Sequence, residues 1–152
     1  PSYIPDFIHN IKHYDIVIGS RFVKGGGIIY RNTIRNVISI GARILTRIIL
    51  GPHIRDWSGG FKCYRKSILA SLDFDNFYSK GYSVGMEMFY ELIRKGYSFT
   101  EIQYVFSDRK GGSSKFNMTE IISYIIVLLK LKIAKSQKRN FGEVKLTNQQ
   151  TR

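Results

Sequence analysis

Three short stretches concentrate residue types that handle anions and sugars. Asp56-Trp57-Ser58-Gly59-Gly60-Phe61 puts a carboxylate at the head of a small, tight polar turn. Glu87 stands between Met86 and Met88 in an apolar helical pattern. Asp108-Arg109-Lys110-Gly111-Gly112-Ser113-Ser114-Lys115 gathers three cations in a Gly/Ser loop. Arg21 adds a guanidinium directly after the apolar run Asp15–Ser20, and Arg35 and Ser39 add a charge and a hydroxyl four residues apart. The chemistry open to the cations and the hydroxyl is phosphate recognition, while the roles of Asp56 and Glu87 stay open. A guanidinium fits phosphate bidentately, helical residues four apart share a face, and ligands of open α/β sheets dock beyond the carboxyl ends of strands. Each group also has an ordinary reading: a solvated arginine, a helix serine facing water, an aspartate bonding the amides of its own turn, a hydrated basic loop.

Other patterns carry less. Gly25-Gly26-Gly27 lacks the Lys-Ser/Thr of a phosphate-cradling loop and the spacing of a dinucleotide fold, and reads as a mobile loop. His9 and His13 have a zinc-compatible spacing but no third ligand in the pattern. The single cysteine, Cys63, allows no internal disulfide and fits a reducing compartment.

These groups must be mounted on secondary structure, and periodicity supplies it. Pro5–Tyr14 reads as a short amphipathic helix, and Asp15–Ser20 as a buried parallel strand. Residues 21–31 read as a loop. A long helix follows from Asn32 or Thr33 to Leu50, with Ile34, Val37, Ile38, Ala42, Leu45 and Ile48 or Ile49 along one side, ended by Gly51-Pro52. Gly60–Tyr64 is predicted as a strand, Lys66–Leu72 as a short helix and Ser83–Lys95 as a helix with Gly96 beyond it. Phe99–Phe106 is predicted as one strand and Met118–Lys135 as a final helix, before a polar basic tail at 136–152. The order fits a layered α/β domain with a thin sheet. Ile121–Leu131 is too short to cross a bilayer, which takes about 20 apolar residues. With Lys130, Lys132, Lys135, Lys138 and Arg139 beside it, this helix suits either an anionic membrane surface or a core position with a basic end.

Bulk composition agrees with one folded domain. The chain has 152 residues, 43% of them hydrophobic, and a net charge of +13. Such a field draws polyanions of any kind: nucleic acid, phosphorylated substrates or an anionic membrane. Nucleic acid is disfavoured because aromatic and basic residues are not interleaved and no zinc-finger or RNA-binding signature is present. The opening Pro1-Ser2-Tyr3-Ile4-Pro5 reads as the middle of a longer protein, at the entry to a helix.

In order, Asp15-Ile-Val-Ile-Gly-Ser-Arg21, Arg35-x-x-x-Ser39-x-Gly41-Ala42, Asp56-x-Ser58-Gly59-Gly60-Phe61-x-x-Tyr64-Arg65-Lys66, Ser79-Lys80-Gly81-Tyr82 with Met86-Glu87-Met88, and Asp108-Arg109 with Gly112-x-Ser114-Lys115 resemble the polyprenyl-phosphate sugar transferases of glycosyltransferase family 2, the dolichyl-phosphate mannosyltransferase type above all. The resemblance runs from about Pro1 to Ala134 and departs from the family at Gly85, where Gln is usual, and at Ser113, where Glu is common. It implies the C-terminal, acceptor-side part (1–135) of a GT-A, Rossmann-like domain with an incomplete sheet and flanking helices. It also implies mannose transfer from GDP-mannose to dolichyl phosphate with inversion. Arg21, Arg35 and Ser39 would hold the acceptor phosphate, Asp56 and Glu87 would line the sugar site, and Arg109, Gly112, Ser114 and Lys115 would form the closing loop.

The family's Mg²⁺ or Mn²⁺ would be held by the Asp-x-Asp of its nucleotide-binding first half, to which no part of this sequence corresponds, so the chain alone is expected to be inactive. Membrane-anchoring subunits and a cytoplasmic membrane face belong to the same expectation. A UDP-glucose-type transferase and a noncatalytic lipid-phosphate binder remain as alternatives.

Overall fold

The computed structural model of the chain describes residues 2–29, 33–51, 53–79, 81–107 and 118–138. Its centre is strand β1 (Ile16–Ser20), whose five residues are all buried. β1 runs antiparallel to β3 (Lys62–Tyr64) on one side and parallel to β4 (Phe99–Gln103) on the other. A strand covered on both faces needs apolar side chains at successive positions, so the continuous Ile16-Val17-Ile18 run goes to the middle of the sheet. The start of the β1–β4 pair is tied by Asp15, whose carboxylate accepts from the Ser98 amide at 3.0 Å and the Ser98 hydroxyl at 2.8 Å.

A second sheet was not foreseen. Within the expected loop 21–31, β2 (Gly27–Ile29) pairs in parallel with β5 (Val105–Ser107). The single strand predicted over Phe99–Phe106 is broken at Tyr104. The Tyr104 amide donates to Ser20 at 3.1 Å, and its carbonyl accepts from Gly27 at 3.1 Å. The chain thus passes from pairing with β1 to pairing with β2.

The triple glycine serves this turn. Gly25 has a φ of 83°, and a Cβ on Gly26 would come within 2.5 Å of the Ser20 carbonyl oxygen. Close backbone approach, rather than loop mobility, accounts for glycine there.

Five helices flank the sheets among the described residues: α1 (Ile4–Asn10), α2 (Thr33–Leu50), α3 (Lys66–Leu69), α4 (Val84–Arg94) and α5 (Met118–Lys138). The core fills between α4, α5 and β1 with Phe89, Leu92, Leu128 and Leu131, all fully buried, and Trp57 with its ring 5.2 Å from Phe89. α2 packs on α5, where the Thr46 hydroxyl lies 2.7 Å from the Tyr124 hydroxyl.

The apolar side expected along α2 divides between core and surface. Ile49 and Leu50 are buried with Thr46, and Leu45 packs against the core, whereas Val37 is 65% exposed and Ile48 72%. At 100° per residue, Val37, Ile40, Ile44 and Ile48 form a second apolar row, away from the core. α5 likewise leaves Ile122, Ile125, Ile126, Leu129 and Ile133 exposed. Among the described residues, no helix is long and apolar enough to cross a membrane.

Candidate functional site

The site forms where β1 ends. Arg21 is the first residue beyond the strand, and the turn that starts at Asp56 folds against it. The Asp56 carboxylate is 1% exposed as a residue and takes four hydrogen bonds. Arg21 supplies its backbone amide at 3.1 Å, Nε at 2.8 Å and Nη2 at 2.7 Å, and the Gly59 amide donates at 2.8 Å. Arg21 Nη2 also donates to the Ser58 hydroxyl at 3.0 Å. Burial pushes the Asp56 carboxyl up, but the hydrogen bonds and charge of Arg21, with Lys62 nearby, outweigh it and hold the group below its ordinary value.

Asp56 is therefore committed to aiming a guanidinium. Arg21 keeps Nη1 without a partner among the described residues, and it lines a cavity of about 300 Å³ with Phe61, Tyr104 and Phe106.

The turn is held from three sides by residues that spacing did not single out. Glu101 on β4 accepts from the amides of Arg55 at 3.0 Å and Asp56 at 2.9 Å. The Lys62 ammonium donates to the carbonyls of Trp57 at 3.1 Å and of Gly59. Arg43 on α2 donates from Nε to the Arg55 carbonyl at 3.1 Å. A polar strand residue beside a Gly-rich turn was the available signal for Lys62. Glu101 had none, because its two partners lie about 45 residues away in the chain.

Two observations yield predictions. A Cβ on Gly59 would sit 3.1 Å from the Asp56 carboxyl atoms, which four hydrogen bonds hold in place. Gly59→Ala is expected to cost about 1–2 kcal/mol by overpacking. Gly60→Ala, whose Cβ would meet nothing within 4 Å, should cost under about 0.5 kcal/mol. Denaturant unfolding of the two variants compares them.

Burial, offset in part by Asp56, lowers the Lys62 ammonium to about 8. Its folded value thus lies below its unfolded one, so the unfolded state binds the extra proton between roughly pH 8 and 10.5. Through that window the stability of the wild-type chain should rise relative to Lys62→Met, by up to about 3 kcal/mol in total. Paired unfolding curves at pH 7.5 and 10 read the slope.

Glu87, on α4, is 2% exposed and equally committed. It accepts from the amides of Tyr78 and Ser79, each at 2.8 Å, and from the Ser79 hydroxyl. Asp56 and Glu87 were expected along a sugar site. Neither lines the cavity at Arg21 nor a neighbouring one of about 270 Å³ that Gly59, Gly60, Lys62, Met86 and Tyr124 help to enclose. Asp56 positions Arg21 and Gly59, which line the cavity at Arg21, and Glu87 fixes residues 78 and 79.

Gly85, where the resembling family carries Gln, borders the second cavity with open space around it. Arg35 and Ser39 fall on α2, four residues apart, and Ser39 is half-buried. Arg109, Gly112, Ser114 and Lys115 lie outside the described residues, as do Lys80, Asn32 and the tail beyond 138. Among the described residues, no group of three or more His, Cys, Asp or Glu is arranged to hold a metal ion, so the divalent cation implied by the resemblance finds no ligand set there.

Comparison with known proteins agrees with the motifs. No family model matches the chain. It is 33% identical over 117 residues to an undecaprenyl-phosphate mannosyltransferase of Micrococcus luteus, covering 77% of this chain and 48% of that protein. It is 34% identical over 107 residues to a polyprenol monophosphomannose synthase of Mycolicibacterium smegmatis, covering 70% of this chain and 40% of that one. The chain thus spans about half the length, or less, of these curated relatives. Over that span it is a homologue of the polyprenol-phosphate mannosyltransferases of glycosyltransferase family 2.

Proposed function

We propose that the chain supplies the acceptor side of a mannosyl transfer to a polyprenyl phosphate at a membrane surface. The observation that carries this reading is Arg21, aimed by Asp56 and Ser58 at the end of β1 with Nη1 left for an anion. A guanidinium already locked by a buried carboxylate gives up little further entropy when it takes a phosphate. The resemblance adds Arg35 and Ser39, four residues apart on α2, as further holders of the acceptor phosphate. The exposed row Val37, Ile40, Ile44 and Ile48 of that helix, with the row on α5 and the exposed Lys130 and Lys132, gives the isoprenoid and its bilayer an apolar, cationic face.

The donor in this reading is GDP-mannose. An oxygen of the lipid phosphate, largely ionised at neutral pH because its second pKa is about 6, attacks the anomeric carbon. A new carbon–oxygen bond forms there as the bond to the β-phosphate oxygen breaks. GDP departs with the electron pair, and the configuration inverts. No strong general base is required. The protein's task is to neutralise and align two anions. Arg21 does this for the acceptor, and Arg109 and Lys115 for the donor diphosphate. No step is assigned to a metal, since the described residues offer it no ligands.

Vesicle flotation tests the reading. The chain should float with vesicles containing dolichyl phosphate several-fold better than with vesicles matched in charge by phosphatidylserine. Equal recovery from both would reduce the site to a general basic surface.

A further inference from the structure

On the far side of Arg21 stands a second guanidinium with the same two anchors. Arg43 places its guanidinium carbon 4.1 Å from the centroid of the Phe22 ring, over which Arg21 also lies, at 5.2 Å. Both arginines grip the turn at 55–58, Arg21 through Asp56 and Ser58 and Arg43 through the Arg55 carbonyl. Only Nε of Arg43 is engaged, so its two terminal amino groups have no partner among the described residues.

We propose that Arg43 is a second phosphate ligand: one phosphate monoester is gripped between Arg21 and Arg43 at the edge of Phe22. This rests on the lipid-phosphate reading above and adds to it a residue that neither the motifs nor the comparisons assign.

Three further observations support the placement. First, both guanidinium carbons lie near one ring, which keeps them within about 9 Å of each other, and charge-assisted contacts of about 2.8 Å on both sides of one phosphate span roughly 8 Å. Second, Arg43 is partly desolvated: burial is the main cause that lowers its pKa, with Arg47 and Arg55 acting the same way and Asp56 and Glu101 the opposite way. A bound anion would favour its charged form. Third, Arg43 lies three residues from Ile40 on α2, at the edge of the exposed apolar row Val37, Ile40, Ile44 and Ile48. A phosphate received there would sit at the margin of an apolar face, where the head of a lipid ends and its chain begins.

The same chemistry could be met by free phosphate, so the test uses two probes. Calorimetric titration with farnesyl phosphate and with inorganic phosphate is run on the wild-type chain, Arg21→Met, Arg43→Gln and Arg43→Lys, at pH 5.0 and 7.5. The wild type should bind farnesyl phosphate more tightly at pH 7.5, where the second phosphate proton is gone. Arg43→Gln should lose about tenfold in affinity at pH 7.5 and most of that pH gain, and Arg43→Lys should recover part of both. A purely structural role would instead lower affinity equally at both pH values, and Lys would not restore the gain.

If Arg43→Gln binds as the wild type does while Arg21→Met does not, Arg43 is no ligand and the lipid-phosphate reading stands. If the wild type binds neither probe, that reading falls and this inference with it. Equal affinity for inorganic and farnesyl phosphate would overturn the lipid assignment and leave a free-phosphate site.

Discussion

Replacing Asp56 with alanine is expected to remove about 3–5 kcal/mol of stability, the cost of stranding one partner of a buried ion pair. The Asp56 side chain is fully buried and that of Arg21 is 13% exposed, so the guanidinium left behind has little water to turn to. The Gly59 amide loses its acceptor as well. Small domains have only about 5–15 kcal/mol in total, so much of the fold is at stake. The double variant Arg21→Met/Asp56→Ala should recover part of the loss, because no uncompensated charge remains. Urea unfolding of wild type, both single variants and the double variant closes the cycle. A loss below about 1 kcal/mol for Asp56→Ala would mean that the pair is not formed in solution.

Glu87→Ala is the second large effect. Its carboxylate is the acceptor for two amides and a hydroxyl in a buried pocket. Each donor left unsatisfied costs about 1–3 kcal/mol, so the total should exceed about 3 kcal/mol. Glu87→Gln keeps one acceptor oxygen and should lose about half as much. Hydrogen exchange makes the prediction local: the Tyr78 and Ser79 amides should open first in Glu87→Ala, ahead of β1. Uniform acceleration across the chain, or none, would show that Glu87 does not hold this segment.

The elements that periodicity foretold are those whose pattern is local. β1, α2, α4 and α5 each carry an apolar run or a 3.6-residue stripe, and each forms within a few residues of its expected bounds. β2 has three residues and exists because it pairs with β5 across about 78 residues of chain. No local signal marks such a strand, whereas β5 lies at the end of the stretch predicted as a strand over Phe99–Phe106. Two apolar rows run along α2, and the expected side drew Leu45 and Ile49 from the buried one and Val37 from the exposed one; only packing against α5 decides which row is buried.

The candidate site was legible as a set of residues and not as an arrangement. Arg21 and Asp56 were singled out separately, one for a phosphate and the other for a sugar. Tertiary contact over 35 residues joins them into a single device. Spacing leaves open whether Glu87 faces solvent or is held within the fold; it is buried, and there it fixes residues 78 and 79. Lys62, Glu101 and Arg43 were missed because their partners are mostly backbone carbonyls and amides, which every residue carries and no motif records. The basic closing loop with Arg109 and Lys115 lies outside the described residues, and its role continues to rest on the resemblance.

The central claim is that Arg21, aimed by Asp56, receives the phosphate of a polyprenyl ester. Calorimetric titration of farnesyl phosphate into the wild-type chain and Arg21→Met at 150 mM salt tests it most directly. The account predicts saturable, one-site binding that weakens at least tenfold in Arg21→Met, a loss of about 1.4 kcal/mol or more. Equal affinity in the two proteins, or binding to both that vanishes with added salt, would contradict it.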